Sequence, residues 1–231
     1  MTMHGAPKSQ APFSRPSGII FDLDGTLYVL RWFMKPLIFF RLFPDSMRLF
    51  RFLAVRDTFA GKEMGTQERL LAAIGDEFGR REKISPADAR RWISDSFYPA
   101  FVAIMRFFRF SRPSLRRLLA GLREKGTRLA VLSDYGCVHE RLEKLRLPVS
   151  LFDPVSSCEA AGALKPHPRP FLAIAEKWGI EPGRILVIGD RADTDGAAAK
   201  NAGMQFFMVS DALWVSPGAL RWGKICRMLL P

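Results

Sequence analysis

Three short apolar runs, each closing on a polar residue, limit what this chain can fold into. Gly18-Ile-Ile-Phe-Asp22, Leu129-Ala-Val-Leu-Ser133 and Ile185-Leu-Val-Ile-Gly-Asp190 show no polar alternation. Runs of this kind suit strands covered on both faces, as in a parallel sheet with helices above and below. Gln205 to Val209 reads as a further strand, and Val149 to Ser156 as a weaker one. Between them, helical patterns fall at about 113–125, 138–145, 168–178 and 194–202. Pro113 and Pro168 stand near helix starts, and Gly126, Gly179 and Gly203 just past helix ends. The alternation predicts an α/β fold with a doubly wound, parallel-sheet (Rossmann-like) core.

Residues 29–111, between the first two strands, have another texture: aromatic, Arg-rich and helical in period. The connection is too long for a simple crossover and predicts an inserted α-helical subdomain. The expected organisation is a flexible tail at 1–17, a core at 18–28 and 112–231, and the helical insert at 29–111.

Composition narrows the class of partner. With 48% hydrophobic residues in 231, the chain is neither disordered nor fibrous. Its net charge of +12 favours an anionic partner, whether nucleic acid, a membrane surface or a phosphorylated metabolite. No helix-turn-helix or zinc-finger spacing appears, so no specific nucleic-acid binding is expected. Cys137, Cys158 and Cys226 form no CxxC pattern and are odd in number. This points to a reducing, cytoplasmic setting. The first seventeen residues hold no apolar run of the signal-peptide kind. The most apolar stretch, 27–43, is broken by Arg31, Lys35, Pro36 and Arg41, which leaves nothing long enough to cross a bilayer.

In an open α/β sheet, ligands bind beyond the carboxyl ends of the strands, and polar residues gather there. The first strand ends in Asp22-Leu23-Asp24-Gly25-Thr26, two carboxylates flanking one residue before a turn-forming Gly. The second ends in Ser133-Asp134, and the third in Gly189-Asp190-Arg191-Ala192-Asp193-Thr194-Asp195, oxygen ligands suited to a hard cation. Lys165 lies in a Pro-rich turn before a helix. Each feature alone has a plain structural explanation: a turn brace, a helix cap or a solvated charge. Together, in this order, they resemble the four motifs of the haloacid dehalogenase-like (HAD) superfamily of hydrolases. These are DxDGT, a strand ending in Ser or Thr, KPxPxxF (here Lys165 to Phe171), and GDxxxxD before a small-residue helix ending Ala202-Gly203. The resemblance covers roughly 18–28 and 112–210 and leaves the insert unmatched.

The resemblance implies a Mg²⁺-dependent phosphatase acting on a small phosphorylated metabolite. Asp22 would attack phosphorus to form an aspartyl-phosphate, and Asp24 would act as general acid and then base. Lys165 would neutralise the phosphoryl oxygens and Ser133 would hold one of them. The metal would be held by Asp22, Asp190, the Asp24 carbonyl and a second acid, for which Asp195 fits the motif spacing better than Asp193. Relatives that displace halide lack the second Asp, so Asp24 favours phosphoryl chemistry, with a phosphomutase as the alternative. Asp134 departs from the Asn common at that position, and a further carboxylate there is unfavourable unless it points away. Thr26 is expected to lock the turn through its hydroxyl.

In such relatives the insert is a cap that closes over the site. Here Val29 to Arg56 carries Arg31, Lys35, Arg41, Arg48, Arg51 and Arg56 against Asp45 alone, interleaved with seven Trp and Phe residues. Three readings stand: cap helices with inward aromatics and solvated arginines, an interfacial pair contacting anionic membrane, or a basic aromatic substrate pocket. His4 falls in the tail, His139 on a helix surface and His167 in the Pro-rich turn, and all three are read as structural, as is Cys137 after the second motif, read as a small buried residue.

Overall fold

The computed structural model describes residues 15–30, 32–108, 112–211 and 218–230. Six parallel strands form one sheet in the order β3-β2-β1-β4-β5-β6. They are β1 (Gly18–Phe21), β2 (Arg128–Ser133), β3 (Val155–Ser157), β4 (Ile185–Gly189), β5 (Gln205–Val209) and β6 (Ala219–Leu220). The three apolar runs are the three central strands. Every residue of β1 and β4 is buried, because helices cover both faces.

Among the described residues six α-helices lie between β1 and β2, the first five being α1 (Met34–Arg41), α2 (Ser46–Asp57), α3 (Gln67–Glu82), α4 (Pro86–Trp92) and α5 (Tyr98–Ile104). Then come α6 (Leu115–Glu124) before β2, α7 (Val138–Lys144) after it, α8 (Arg169–Trp178) before β4, α9 (Ala197–Asn201) before β5 and α10 (Trp222–Leu229) last. Leu115, Leu118, Leu119 and Leu122 line the buried face of α6 at helical spacing. At Gly18, an added Cβ would sit 2.5 Å from the Trp178 ring, so α8 lies flush on β1 only because no side chain intervenes. The helical segment has its own aromatic centre, with the Phe52 ring 4.6 Å from Phe97, 5.7 Å from Phe78 and 5.9 Å from Trp92.

Several sequence expectations shift. Ser17 belongs to the sheet and not to a loose tail, since its N–H donates to the Arg184 carbonyl and its carbonyl accepts from Arg128. His4 and most of the expected tail lie outside the described residues, as does Arg31. The weak strand at 149–156 divides into a 3₁₀ turn at Val149–Leu151 and the short strand β3. The helix expected over 194–202 opens as a wide π turn, Ala192–Gly196, before α9 begins. Neither β6, only two residues long, nor α10 was expected from the sequence.

Candidate active site

Parallel pairing puts the carboxyl ends of β2, β1 and β4 side by side, with Phe21 opposite both Val131 and Ile188. Asp22, Ser133 and Asp190 therefore emerge at one edge. Lys165 reaches them from the turn between β3 and α8. Its Nζ lies 2.7 Å from Asp22 Oδ1, 2.7 Å from Asp195 Oδ1 and 3.1 Å from the Leu132 carbonyl. Asp195 and Lys165 are fully buried, and Asp22 nearly so. Asp193 instead points outward and pairs with Arg191. The tertiary structure thus brings Asp195, and not Asp193, to the other acids. Gly189 permits this, since a Cβ there would stand 2.5 Å from the Asp195 side chain.

Burial pushes the Asp22 carboxyl well above the ordinary range. Lys165 pulls against that shift, while Asp195, Asp24 and Asp190 add to it. Asp190 is likewise raised to about 6, first by burial and then by Asp195 and Asp24. Burial also works against the charge on Lys165, but Asp195 and Asp22 outweigh it and hold the ammonium firmly protonated. Carboxylate oxygens of Asp22, Asp190 and Asp195 lie within 4.8 Å of one another, and Asp22 Oδ2 is buried with no hydrogen-bond partner. One ammonium does not balance three carboxylates. An all-oxygen donor set with an unpartnered buried oxygen fits a hard divalent cation.

Asp24 sits in a different field. Its Oδ1 accepts from Arg141 and, at 2.5 Å, from the Tyr28 hydroxyl, and its Oδ2 accepts from Ser133 at 3.1 Å. Burial disfavours its charge, yet Arg141 together with the Tyr28 and Ser133 bonds prevails and holds the carboxyl below its usual range. The two acids flanking Leu23 are thereby driven apart in acidity by their surroundings.

Arg141 was missed from the sequence. It comes from α7, is wholly buried, donates to Ser133 Oγ at 2.9 Å and stacks with its Cζ 4.2 Å from the Phe101 ring centre. The available signal was a charge on the apolar stripe of a helix, beside Val138, Leu142 and Leu145. Arg112 was missed as well. It is buried just after the insert and donates to the carbonyls of Gly25 and Thr26, bracing the turn that carries Asp24. The expectation for Thr26 fails in this respect, since its Oγ1 is buried without a hydrogen-bond partner and Arg112 holds the turn through the main chain. The Ser133 hydroxyl is occupied by Asp24, Arg141 and the Tyr135 N–H.

Asp134 points away from the cluster. Its Oδ1 accepts from the Lys165 N–H at 3.1 Å and fixes the Lys-Pro turn. The segment from Ala60 to Met64 runs against the same turn, with the Gly61 N–H donating to the Lys165 carbonyl and Met64 to Gly162. His167 faces Glu63 of that segment, with its Nε2 at 3.4 Å, and His139 is exposed. Cys137 is half-buried, and burial raises its thiol above the ordinary value. Arg56, buried on α2, pairs with Glu159, donates to the Asp134 carbonyl and lies 4.1 Å from the Tyr135 ring centre. The helical insert is therefore bonded to the edge of the site at two places.

Fold and site define a hydrolase built on a doubly wound sheet with a helical insertion after the first strand. The chain belongs to the haloacid dehalogenase-like hydrolase family, whose sequence profile matches residues 16–203. It is 34% identical over 94 residues to a glyceraldehyde 3-phosphate phosphatase of Pyrococcus abyssi, covering 40% of each chain. It is 35% identical over 104 residues to a phosphoglycolate phosphatase of Nitrosospira multiformis, covering 42% of this chain and 43% of that one. The chain spans less than half the length of these curated relatives. Among solved structures it is similar to the HAD-hydrolase YfnB of Bacillus subtilis, crystallised with magnesium. The TM-score is 0.64 at 15% identity, over 94% of this chain and 99% of that one, a likeness of fold.

Proposed function

We propose that the protein is a phosphatase that hydrolyses a small phosphomonoester by way of a phosphoryl group carried on Asp22. The observation that carries this reading is the pairing of unlike acids. Asp22 lies beside Lys165 and two further carboxylates, and Asp24, two residues on, is held by Arg141 and Tyr28.

Lys165 fixes the Asp22 carboxylate through Oδ1 and so orients the group that attacks phosphorus. A carboxylate approaches a phosphate anion only where positive charge suppresses their repulsion, and Lys165 supplies one such charge. Asp22, Asp190 and Asp195, with the Asp24 carbonyl, would hold Mg²⁺, whose charge there favours ionised Asp22 and neutralises phosphoryl oxygens. Asp24 is kept as a carboxylate in this arrangement, the form that takes a proton from the hydrolytic water. A phosphate dianion entering beside it raises its proton affinity, which lets it first protonate the leaving oxygen. The helical insert, bonded at Arg56 and at Ala60 to Met64, acts as a cap that reads the leaving group and excludes water.

The test is phosphate release from glyceraldehyde 3-phosphate, phosphoglycolate and other small phosphomonoesters, with Mg²⁺ or EDTA. We expect metal-dependent release that Asp22→Asn abolishes without loss of fold. Full activity in that variant would overturn the phosphoenzyme assignment.

A further inference from the structure

The expectation of inward-facing aromatics in the first part of the insert holds for only some of them. Phe52 is buried, and Phe33 and Phe39 are half-buried, but the others are not. Eight large apolar side chains are exposed among the described residues, and six of them fall between positions 30 and 50. These are Leu30, Trp32 at 87%, Phe40 at 75%, Phe43 at 79%, Met47 at 61% and Phe50. Two of them are joined through Phe39, whose ring lies 6.0 Å from Phe40 on its own helix and 5.9 Å from Phe50 on α2. Met47 and Phe50 share one face of α2. Phe43 and Pro44 are exposed in the turn joining the helices.

Cations surround these side chains. Lys35, Arg41 and Arg51 are exposed, and Lys35 and Arg41 have no ion-pair partner among the described residues. The nearby acids are largely balanced: Arg48 pairs with Asp45, and Arg48 and Arg51 pair with Glu82, leaving Asp95 as an exposed acid at the border near Arg41.

We propose that the α1–α2 hairpin docks the protein on an anionic lipid surface, with Trp32, Phe40, Phe43, Met47 and Phe50 entering the acyl boundary and Lys35, Arg41 and Arg51 among the headgroups. Charge decides between occupants. A second copy seated on this face would set the same cations against one another, whereas an anionic bilayer complements them and accepts the rings at once. The mode is peripheral, as no helix among the described residues is long and apolar enough to cross a membrane. The hairpin is tied to the catalytic edge by α2 itself. Met47 and Arg56 are nine residues apart on that helix, about 14 Å at 1.5 Å per residue, and Arg56 holds Glu159 and the Asp134 carbonyl.

Co-sedimentation of the full chain with phosphatidylcholine vesicles, with and without phosphatidylserine, tests the proposal independently of catalysis. Binding is expected only with phosphatidylserine, to weaken at high salt, and to be unchanged in Asp22→Asn. Lys35→Gln/Arg41→Gln should weaken it about 30-fold, as two surface cations are removed. Phe40→Ser/Phe43→Ser should weaken it comparably while leaving phosphate release from a soluble substrate unchanged. No binding to anionic vesicles, or binding indifferent to both double variants, overturns the proposal. So does a concentration-dependent dimer in sedimentation that Phe40→Ser/Phe43→Ser abolishes, which would assign the face to self-association.

Discussion

Replacing Arg141 by Met removes the cation that pairs with Asp24. The substitution keeps an unbranched side chain against the Phe101 ring but deletes the guanidinium that donates to Asp24 Oδ1 and to Ser133 Oγ. Stranding one member of a buried pair costs about 3–5 kcal/mol. The Asp24 side chain keeps 22% exposure and its Tyr28 and Ser133 bonds, so the lower end, about 3 kcal/mol, applies. Asp24→Asn strands the opposite charge, on a residue with no exposure, and should cost at least as much. The double variant strands neither, so its loss should fall about 3 kcal/mol short of the sum of the single losses. Urea unfolding in EDTA, followed by tryptophan fluorescence, gives all three values. The single Arg141 variant should melt about 6–12 °C lower. Additivity within about 0.5 kcal/mol would show that Arg141 and Asp24 do not act on one another, and the account of Asp24's acidity would fall with it.

Two further outcomes follow from the acid cluster. Asp190 is raised to about 6 in the folded protein from an ordinary value of 3.8, so the unfolded chain releases its proton first. Folding stability from this group therefore declines as pH rises from about 4 to about 6 and stays reduced above that. In EDTA, Asp190→Asn should accordingly raise the melting temperature at pH 7 and lose that advantage as the pH falls toward 4. A gain that does not vary with pH would refute this origin. At Gly25, φ is +80° and a Cβ would stand 2.1 Å from Asp190 Oδ2. Gly25→Ala should destabilise by only about 1–2 kcal/mol in thermal melts. Phosphate release should nevertheless fall by about 10²-fold, because Asp190 is displaced, and activity within a few fold of the parent would sink that reading.

Sequence alone determined the sheet core and which polar residues stand at the strand ends, because both follow from local pattern. A buried strand is apolar along its length, and a parallel sheet places its ligands at strand ends. Asp22, Asp24, Ser133 and Asp190 stood out as candidates for that reason, whereas Lys165, in a Pro-rich turn, was singled out by the family resemblance. What the tertiary structure decided lies in long-range contact. Spacing left Asp193 and Asp195 as alternatives, and the wide turn before α9, with the open backbone at Gly189, turned Asp195 inward onto Lys165. Arg141 and Arg112 were not singled out in the sequence, and only the fold buries one against Asp24 and the other against the carbonyls of Gly25 and Thr26. In α1 and α2, one alternation of Phe and Arg served two ends, with Phe52 filling the aromatic centre and Phe40 and Phe43 left in solvent. Periodicity reports which residues share a helix face. Which face meets a neighbour depends on elements far away in the chain, and here, among the described residues, α3, α4 and α5 cover one side of the hairpin while Phe40, Phe43 and Phe50 stay exposed on the other.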